Sequence, residues 1–265
     1  MQDNSISFIP ITNENKKIVN VFSLNELKDS KIERENCVVL MAGGLGSRLG
    51  ELTANCPKPM LKLADKPILE IIIENLKEHG FKNFYISVNY KSEIIESYFG
   101  DGSTHGVNIF YIKEKERMGT VGSLSLLDPI NDLPLIVMNA DVLTKLNFSE
   151  FIDYFQANSL DACLCTFRHD YQIPFGVVHF DGELVVKIEE KPMQSSLVNA
   201  GIYLLNSNLL NLIPKNTFFD MPVLLEKIIS EKYRLGTFQV NDYWLDIGRR
   251  DDFNRAENDY KNNLK

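Results

Sequence analysis

The sequence lacks any run of about 18 apolar residues, so we expect no transmembrane helix. Its start, MQDNSISFIP, has neither the basic end nor the apolar core of a signal peptide. Basic residues are not in excess either, because 36 acidic side chains outnumber 28 lysines and arginines. The net charge of -8 disfavours nucleic-acid binding, which usually leaves a basic footprint. We therefore expect a cytoplasmic protein that acts on small molecules, with no nucleic-acid or membrane partner and with a possible homo-oligomeric state.

Cysteine and histidine are scarce, with four residues of each type. Cys163 and Cys165 are two positions apart in a predicted strand and therefore share one face of it. No second pair stands at zinc-ligand spacing, so we interpret them as buried apolar side chains. The histidines are scattered, and the G-x-S-x-G pattern of many serine hydrolases is absent. A zinc site and this hydrolase class are thus disfavoured.

From Cys37 onward, predicted strands and helices alternate along the chain. CVVLMA is an unbroken apolar strand, which is typical of a parallel strand covered on both faces. Further on, FGVVHFDGELVVKIEEKP predicts a hairpin that turns at Asp181-Gly182. The order favours an α/β fold with a mixed, mainly parallel sheet and an antiparallel addition. We divide the chain into residues 1–36, which end in the charged linker KDSKIEREN, and a domain at residues 37–265.

The stretch VVLMAGGLGSRLGELTANCPKPMLKL, Val38 to Leu63, follows the first strand of that domain. Backbone N–H groups of a glycine-rich turn after a buried strand can converge on an anion. The G-x-x-x-x-G-K-[ST] loop is absent, and the G-x-G-x-x-G pattern fails because one extra residue precedes Gly50. The remaining interpretation is a G-G-x-G-[ST]-R loop with Pro-Lys downstream.

This loop belongs to a longer set of motifs. The pieces AGGLGSRLGELT, CPKPML, MGTVGSL, MNAD, FGVV, EEKP, NAGIY and WLDIG occur in order over residues 37–260. The set resembles the sugar-1-phosphate nucleotidylyltransferases, also called nucleotide-sugar pyrophosphorylases. The resemblance implies a Rossmann-like three-layer α/β/α domain of the GT-A-like type, whose antiparallel addition binds the sugar. It also implies that a nucleoside triphosphate and a sugar 1-phosphate yield a nucleotide sugar and pyrophosphate.

The resemblance implies roles for the loop residues. Arg48 would hold the departing β- and γ-phosphates, since a guanidinium can grip phosphate with two hydrogen bonds. Lys58 would reach the α-phosphate, with Pro57 and Pro59 restricting the backbone beside it. Catalysis is thereby assigned to Arg48, Lys58 and Asp141. Nucleotide binding is assigned to Ala42, Gly43, Gly44, Gly46, Ser47, Asn89, Gly119 and Thr120.

Two aspartates, Asp141 in MNAD and Asp246 in WLDIG, each end a predicted strand. Carboxylates at strand ends of open α/β sheets face the ligand crevice. Mg²⁺ takes one or two carboxylates together with phosphate oxygens and water. We expect both aspartates to bind Mg²⁺ as the cofactor, and the alternative is that they cap a helix or turn.

The sugar side and the base side are assigned by the same resemblance. Gly176, Glu190, Lys191 and Asn199 would bind the sugar phosphate, although Lys191 also fits a surface lysine at a hairpin edge. Asn89 would contact the base with its donor and acceptor, or simply end a strand in a turn. Thr120 can cap the helix that follows it. Arg249 and Arg250 depart from the family pattern, and we place them on the first turn of the closing helix rather than on phosphate.

The first 27 residues resemble the end of a CBS motif, and VNYKSEIIESYFGDGSTHGVNIFYIKEKERMGT resembles the guanylyltransferase branch. These likenesses favour GTP and a mannose-, glucosamine- or heptose-type sugar 1-phosphate, used for cell-surface glycan precursors. Two alternatives stay open. One is a catalytically silent regulatory subunit that binds nucleotide sugars. The other is a transferase for dTTP, UTP or CTP, or for a non-sugar phosphate such as phosphocholine.

Overall fold

The computed structural model describes residues 8–12, 16–23, 33–127 and 131–263. Its first strands, β1 (Phe8–Thr12) and β2 (Ile18–Ser23), pair antiparallel with each other. The sequence of this segment predicts a strand, a turn, a second strand and a short helix that Ser23 caps. The two strands are confirmed, and the predicted helix lies outside the described residues.

The alternation of strands and helices predicted for the rest of the chain is confirmed. The strands are β3 (Arg34–Met41), β4 (Lys62–Leu63), β5 (Lys66–Pro67), β6 (Phe81–Val88), β7 (Asn108–Lys113), β8 (Leu135–Asn139), β9 (Val142–Thr144), β10 (Ala162–Gln172), β11 (Gly176–Asp181), β12 (Leu184–Glu190), β13 (Met193–Leu205), β14 (Leu235–Val240) and β15 (Trp244–Asp246). The helices are α1 (Ile68–Glu78), α2 (Ser92–Phe99), α3 (Phe148–Ala157), α4 (Met221–Ser230) and α5 (Arg250–Asn263). None of the helices in the described ranges is long and apolar enough to span a membrane.

A seven-stranded sheet runs in the order β14-β10-β13-β8-β3-β6-β7. Strands β8, β3, β6 and β7 are parallel, and β10 and β14 are parallel to each other. Strand β13 runs antiparallel to both β8 and β10, so it alone is reversed within this sheet. The sheet is therefore mixed and mainly parallel, as the order of elements predicted.

Alternating side chains of the sheet enter two separate cores. Val38 and Leu40 of β3 pack in one core with apolar residues of α1, α2, α3 and α5. Val39, between them, points to the other core, which α4 and the short 3-10 helices at residues 122–126 and 207–212 complete. Because a strand reverses its side chains at every residue, both faces of β3 are buried. The result is the expected three-layer arrangement.

Two local expectations were wrong. Strand β3 begins at Arg34, whose N–H donates to the Gly80 carbonyl at 2.9 Å, so the last residues of the predicted linker belong to the sheet. The segment predicted to start a helix after Met118 forms only a 3-10 helix, Gly122–Leu126. Gly122 packs closely against the Thr217 carbonyl, and this tertiary contact outweighs the local tendency of the segment to form a longer helix.

Strand β13 contains an irregularity where it leaves the central sheet. Its register with β10 shifts between Leu164 and Thr166, opposite residues 200–202 of β13. Gly201 has φ +71°, and a Cβ there would lie 2.8 Å from Nδ2 of Asn139. A bulge with a positive φ re-aims the neighbouring side chains, here that of Asn199, and brings the Gly201 backbone beside the end of β8.

Replacing Gly201 by alanine tests this bulge. We expect Gly201→Ala to lower the free energy of unfolding by roughly 2–4 kcal/mol, since it combines a strained φ with a steric contact. The matched control is Gly182→Ala, which has a similar φ of +58° but open space around its Cβ position. The control should lose only roughly 1–2 kcal/mol. Equal losses in urea denaturation would show that the contact with Asn139 has no energetic role.

Candidate active site

A cavity of about 420 Å³ opens at the carboxyl ends of β3 and β8. This is the edge where open α/β sheets bind ligands. Several parts of the chain form its walls. They are residues 41–48, Lys58 and Pro59, Glu114, residues 117–120, residues 139–141, and Phe218, Asp220 and Gly248. The glycine-loop residues that were assigned to the nucleotide all line it: Ala42, Gly43, Gly44, Gly46 and Ser47.

The glycine loop is held in place by contacts of its own backbone. Gly46 has φ +65°, and a Cβ there would lie 2.9 Å from Cγ2 of Thr53 and 3.0 Å from Cβ of Lys58. The Gly46 carbonyl accepts from the Thr53 hydroxyl at 3.0 Å and from the Leu49 N–H at 2.9 Å. A side chain at position 46 would push the loop away from Lys58, which explains this glycine physically.

Lys58 forms the main ion pair of the cavity. Its ammonium donates to Oδ2 of Asp141, and the lysine is buried at 7% exposure. Lys58 opens a 3-10 helix, Lys58–Met60, in which Pro57 and Pro59 restrict φ on both sides. Buried charges require partners, so this pairing holds the lysine at the floor of the cavity.

Asp141 has a second oxygen that the protein leaves unsatisfied. Its Oδ1 is buried and has no hydrogen-bond partner among the described residues. A buried carboxylate oxygen without a donor is costly unless a cation or another ligand meets it. Asp141 therefore presents one oxygen to Lys58 and the other to a ligand that is electropositive.

Asp246 is brought near Asp141 by a small antiparallel ribbon. Strand β15 pairs with β9 in a register that places Asp246 opposite Val142, and the Ile247 N–H donates to the Asp141 carbonyl at 3.1 Å. Burial, followed by the negative charge of Asp141, raises the pKa of Asp246. The positive charges of Lys58 and Arg48 act against this rise. The two carboxylates thus share one electrostatic site, with a chemistry that suits Mg²⁺.

Arg48 lies beside this site. A Cβ on Gly248 would be 3.7 Å from Nη1 of Arg48 and 3.8 Å from Oδ2 of Asp246, so the two charged groups flank the same glycine. Both Arg48 and Gly248 line the cavity. The guanidinium is exposed and is positioned to meet a further anion.

A second cavity, of about 260 Å³, adjoins the first and shares Thr120 and Asn139 with it. It is lined by Asn199, Trp244 and Asp246, so the aspartate lies between the two spaces. The Asn199 side chain accepts from the Gly201 N–H at 3.0 Å, which orients it at the bulge of β13. Of the four residues that the sequence assigned to the sugar phosphate, Asn199 lines this cavity.

The remaining sugar-side residues are not at either cavity. Gly176, Glu190 and Lys191 lie on the β11–β12 hairpin, where Gly176 and Glu190 are opposite each other in register. A Cβ on Gly176 would lie 3.0 Å from Oε2 of Glu190, so these two residues contact each other rather than the cavity wall. Their roles therefore stay predictions, because the structure does not bring these residues to either cavity.

The base-side residues gave mixed outcomes. Gly119 and Thr120 line the first cavity, whereas Asn89 does not, because its amide donates to the Glu114 carbonyl at 2.9 Å. The expectation that Thr120 caps the helix following it was wrong. Its hydroxyl instead accepts from the Met221 N–H at 2.7 Å, so it caps α4, which is distant in sequence. The 3-10 helix after Thr120 has no side-chain cap.

Glu114 is a site residue that sequence reasoning missed. Its Oε1 accepts from the Ser87 hydroxyl at 2.6 Å, and its Oε2 accepts from the Met118 N–H at 3.2 Å. The Cβ position of Gly43 lies 2.7 Å from the same Oε1, so the glycine loop packs directly on this carboxylate. A carboxylate directly after β7 in IKEKER was the available signal.

Asp220 was also missed, and no local pattern could have found it. Its Oδ1 accepts from both the N–H and the hydroxyl of Thr120, at 2.9 and 3.1 Å. Gly119, with φ +78°, is adjacent, because its Cβ would lie 2.6 Å from the Phe219 carbonyl. The residues that hold the loop at Gly119 and Thr120 thus come from a segment 100 positions away.

Arg249 and Arg250 lie where they were expected. Helix α5 begins at Arg250, and the Arg249 N–H donates to Oδ2 of Asp252 at 2.8 Å. Asp251 and Asp252 place negative charge in the first turn, which offsets the unfavourable effect of the arginines on the helix dipole. Neither arginine lines the two cavities.

An aromatic cage for a quaternary ammonium would require Tyr171, Phe175 and Trp244 to converge. Trp244 instead stacks on Phe167 with ring centroids 4.9 Å apart, and its Nε1 donates to the Ala200 carbonyl. Tyr171 stacks on His169. These contacts disfavour the phosphocholine alternative.

Comparison with known proteins extends the likeness from motifs to the whole domain. Residues 37–263 match the family model described as nucleotidyl transferase. The chain is 32% identical to a mannose-1-phosphate guanyltransferase of Yarrowia lipolytica, over 81% of this chain and 61% of that protein. It is 30% identical to the Saccharomyces cerevisiae mannose-1-phosphate guanyltransferase, over 85% and 65%. The chain thus spans less than two thirds of the length of these curated relatives.

A solved structure has the same fold. HddC from Yersinia pseudotuberculosis superposes with a TM-score of 0.68 at 26% identity, covering 85% of this chain and 99% of that one. The same protein has been solved in complex with GMP-PN. The mixed α/β/α arrangement derived above is therefore shared with proteins of this group.

The contacts of Glu114 give a stability prediction. Ser87→Ala and Glu114→Gln should each lower the free energy of unfolding by about 1–3 kcal/mol, because a buried group loses its partner. The double variant should lose less than the sum, by roughly 0.5–3 kcal/mol, as measured in a urea double-mutant cycle. Ser87→Ala combined with Ser230→Ala is the control and should be additive, since Ser230 bonds to the Lys227 carbonyl instead. Additivity for Ser87 and Glu114 would contradict the proposed contact.

The raised pKa of Asp246 predicts how stability depends on pH. The folded state binds the Asp246 proton more tightly than the unfolded state, in which the pKa of an aspartate is about 3.9. The stability that this group contributes is therefore fully present below about pH 3.9, and it is lost as pH rises through the folded-state pKa. Asp246→Asn should therefore increase stability at neutral pH, and the gain should vanish below about pH 3.9. Urea unfolding of both proteins across this range measures it.

Asp170→Asn is the control of opposite sign. Hydrogen bonds from Ser195 and then Arg168 lower the pKa of Asp170, so its carboxylate contributes stability above the unfolded pKa. The control variant should lose stability at neutral pH rather than gain it. A neutral-pH loss for Asp246→Asn as well would contradict the electrostatic description of the site.

Proposed function

Since the chain belongs to the nucleotidyl transferase family, we propose that it transfers a nucleotidyl group from a nucleoside triphosphate to a sugar 1-phosphate. The observation that carries this proposal is the buried Lys58–Asp141 pair beneath the glycine loop, with one Asp141 oxygen unsatisfied. A sugar phosphate oxygen would attack the α-phosphorus as the bond to the bridging oxygen breaks. Pyrophosphate would leave with that oxygen. Such a step needs positioning and charge neutralisation more than covalent help.

The glycine loop and Arg48 would bind the triphosphate. The loop lines the larger cavity and approaches it without side chains at Gly43, Gly44 and Gly46, so its N–H groups can reach phosphate oxygens. Arg48, exposed at the edge of the same cavity, would hold the departing pyrophosphate. Glu114 and Asp220 also line the cavity, and they would act as positioning residues because they accept the backbone N–H groups of Met118 and Thr120.

Lys58 would neutralise the charge that builds on the α-phosphate. The ammonium is held by Asp141 and restricted by two prolines, so it is already oriented before substrate binds. A preorganised charge in a site that excludes water stabilises a transition state more than a mobile surface lysine would. Ser47, which also lines the cavity, adds a hydroxyl for phosphate.

Asp141 and Asp246 would hold Mg²⁺. The Oδ1 of Asp141 has no hydrogen-bond donor among the described residues, and burial and then the Asp141 charge raise the pKa of Asp246. A cation between the two carboxylates would stabilise the charged form of both. When bound, Mg²⁺ neutralises and orients phosphate oxygens. No cluster of three acidic, histidine or cysteine side chains suited to a metal occurs in the part of the chain that the structure describes. Two carboxylates suffice where phosphates complete the set.

For the substrates, we propose GTP and mannose 1-phosphate as the first pair to test, with glucosamine and heptose phosphates next. Support comes from relatives named mannose-1-phosphate guanyltransferase and from the GMP-PN complex of HddC. We place the reaction in the cytoplasm, as a step toward cell-surface glycan precursors. Residues 1–33 would form a CBS-like segment and linker, since residues 34–36 lie in β3.

Charge removal at Lys58 tests the assigned role. Lys58→Met should lower kcat about 10²–10³-fold, since an oriented charge on the reacting phosphate is lost. Lys62→Met changes an exposed lysine on β4 and is the matched control, with turnover within about 2-fold. Circular dichroism should show both variants folded. Full activity of Lys58→Met would contradict the role proposed for this residue.

A pyrophosphate-release assay over five NTPs and a panel of sugar 1-phosphates tests the function itself. We expect the highest kcat/KM for GTP with a mannose-type phosphate, loss of turnover in EDTA and recovery with Mg²⁺. In a thermal-shift assay, Mg²⁺ should stabilise Asp141→Asn less than it stabilises the wild type. This measurement reports metal binding independently of activity. Absence of turnover with every pair would overturn the proposal. If nucleotide sugars nevertheless bind in calorimetry, the regulatory-subunit alternative would be favoured.

A further inference from the structure

Phe218 is an aromatic residue of the larger cavity that the proposed reaction leaves without a role. It lines this cavity, and its side chain is 59% exposed. Among the residues that the structure describes, no other aromatic ring contacts the Phe218 ring. Ligand pockets commonly use aromatic side chains as walls, since a ring offers a large, rigid contact surface. The Phe218 ring is thus a surface that a bound molecule can cover.

The backbone beside Phe218 is fixed by the loop that begins at Met118. The Phe219 N–H donates to the Met118 carbonyl at 2.9 Å. The Phe219 carbonyl accepts from the N–H groups of Val121 and Gly122 at 3.1 and 3.0 Å. Three backbone hydrogen bonds therefore join the two segments next to the ring. A ring on a backbone that is already ordered loses little conformational entropy when a ligand binds.

The residues on either side of Phe218 are occupied by other contacts. Phe219 packs against the core that contains Val39, and it does not line the cavity. The Asp220 carboxylate accepts from the backbone and hydroxyl of Thr120, as described above. These contacts leave the Phe218 ring as the apolar part of this segment that faces the cavity.

The position of Phe218 within the cavity distinguishes the parts of a nucleotide. The charged groups Lys58, Asp141 and Arg48 mark the end suited to phosphate. Phe218 instead adjoins the loop of Gly119 and Thr120, through the hydrogen bonds of Phe219 and Asp220. Phe218 does not line the second cavity, where Asn199 lies. The ring is therefore placed for the part of the nucleotide that lies away from both the phosphates and the sugar 1-phosphate.

We propose that the Phe218 ring stacks on the nucleobase of the nucleoside triphosphate. The inference rests on the proposed function, because it adds a binding residue to the same nucleotide site. Every base has a π-face, so a flat aromatic side chain can stack on any of them. Stacking does not read the edge of a base. Phe218 thus supplies affinity for the nucleotide, and the choice between guanine and adenine falls to other groups.

Isothermal titration calorimetry of the whole chain with GTP and Mg²⁺, without sugar phosphate, tests the stacking. Phe218→Ala should weaken GTP binding about 5–100-fold, which is the range for loss of one base–aromatic stack. Phe218→Tyr keeps the ring and should bind GTP within about 2-fold of wild type. Phe218→Leu keeps an apolar side chain without a ring, and it should bind more weakly than the tyrosine variant.

Inorganic tripolyphosphate is the matched probe, because it has the phosphates of GTP and no base. It should bind the wild type and all three Phe218 variants with equal affinity. Phe110→Ala is the control protein, since Phe110 is 49% exposed on β7 and lines neither cavity. This control should bind GTP and tripolyphosphate like wild type.

The results separate this inference from the proposed function. Unchanged GTP affinity in Phe218→Ala would overturn the stacking alone. Full affinity in Phe218→Leu would show that only apolar contact matters, and an equal loss of GTP and tripolyphosphate would show a disturbed phosphate loop; each overturns the stacking as well. A wild type that binds tripolyphosphate but no nucleoside triphosphate would overturn both proposals. Circular dichroism identifies an unfolded variant, and if Phe218→Ala unfolds, the leucine and tyrosine variants carry the comparison.

Discussion

The buried ion pair between Lys58 and Asp141 is the interaction on which the rest of the site depends. Removing one partner of such a pair typically costs about 3–5 kcal/mol, because the other charge stays buried without compensation. The glycine loop packs on Lys58, the β9–β15 ribbon begins beside Asp141, and Arg48 and Asp246 lie around the same point. Loop, ribbon and sheet edge therefore share one charged centre, and each limits how the others can be placed.

The arrangement of charges at this centre favours the binding of a ligand and lowers the stability of the free protein. Asp246 is partly buried near a second carboxylate, and Asp141 keeps an oxygen without a donor among the described residues. Both features cost free energy in the folded chain and are relieved by a ligand that carries positive charge. The positive charges of Lys58 and Arg48 counter only part of the effect that burial and Asp141 have on the pKa of Asp246.

The sequence-based predictions agreed best with the structure where all the determining residues lie within one short segment. The glycines, Pro57, Pro59 and the strand-end aspartates were read from short patterns, and all of them line or frame the cavities. Agreement failed where a partner came from far along the chain. Thr120 caps α4 because Met221 is folded beside it, and Asn89 is held by the Glu114 carbonyl. The periodicity of a single segment gives no information about contacts between such distant residues.

By itself, the sequence determined the alternating α/β order, the buried parallel strands and the glycine-rich loop that follows β3. These follow from side-chain periodicity and from the conformations that only glycine and proline favour. Tertiary structure alone decided that Asp141 and Asp246 meet, that Glu114 and Asp220 hold the loops, and that Glu190 and Lys191 lie outside both cavities. The reason is that contacts between distant segments depend on strand register and strand order, which local patterns do not specify.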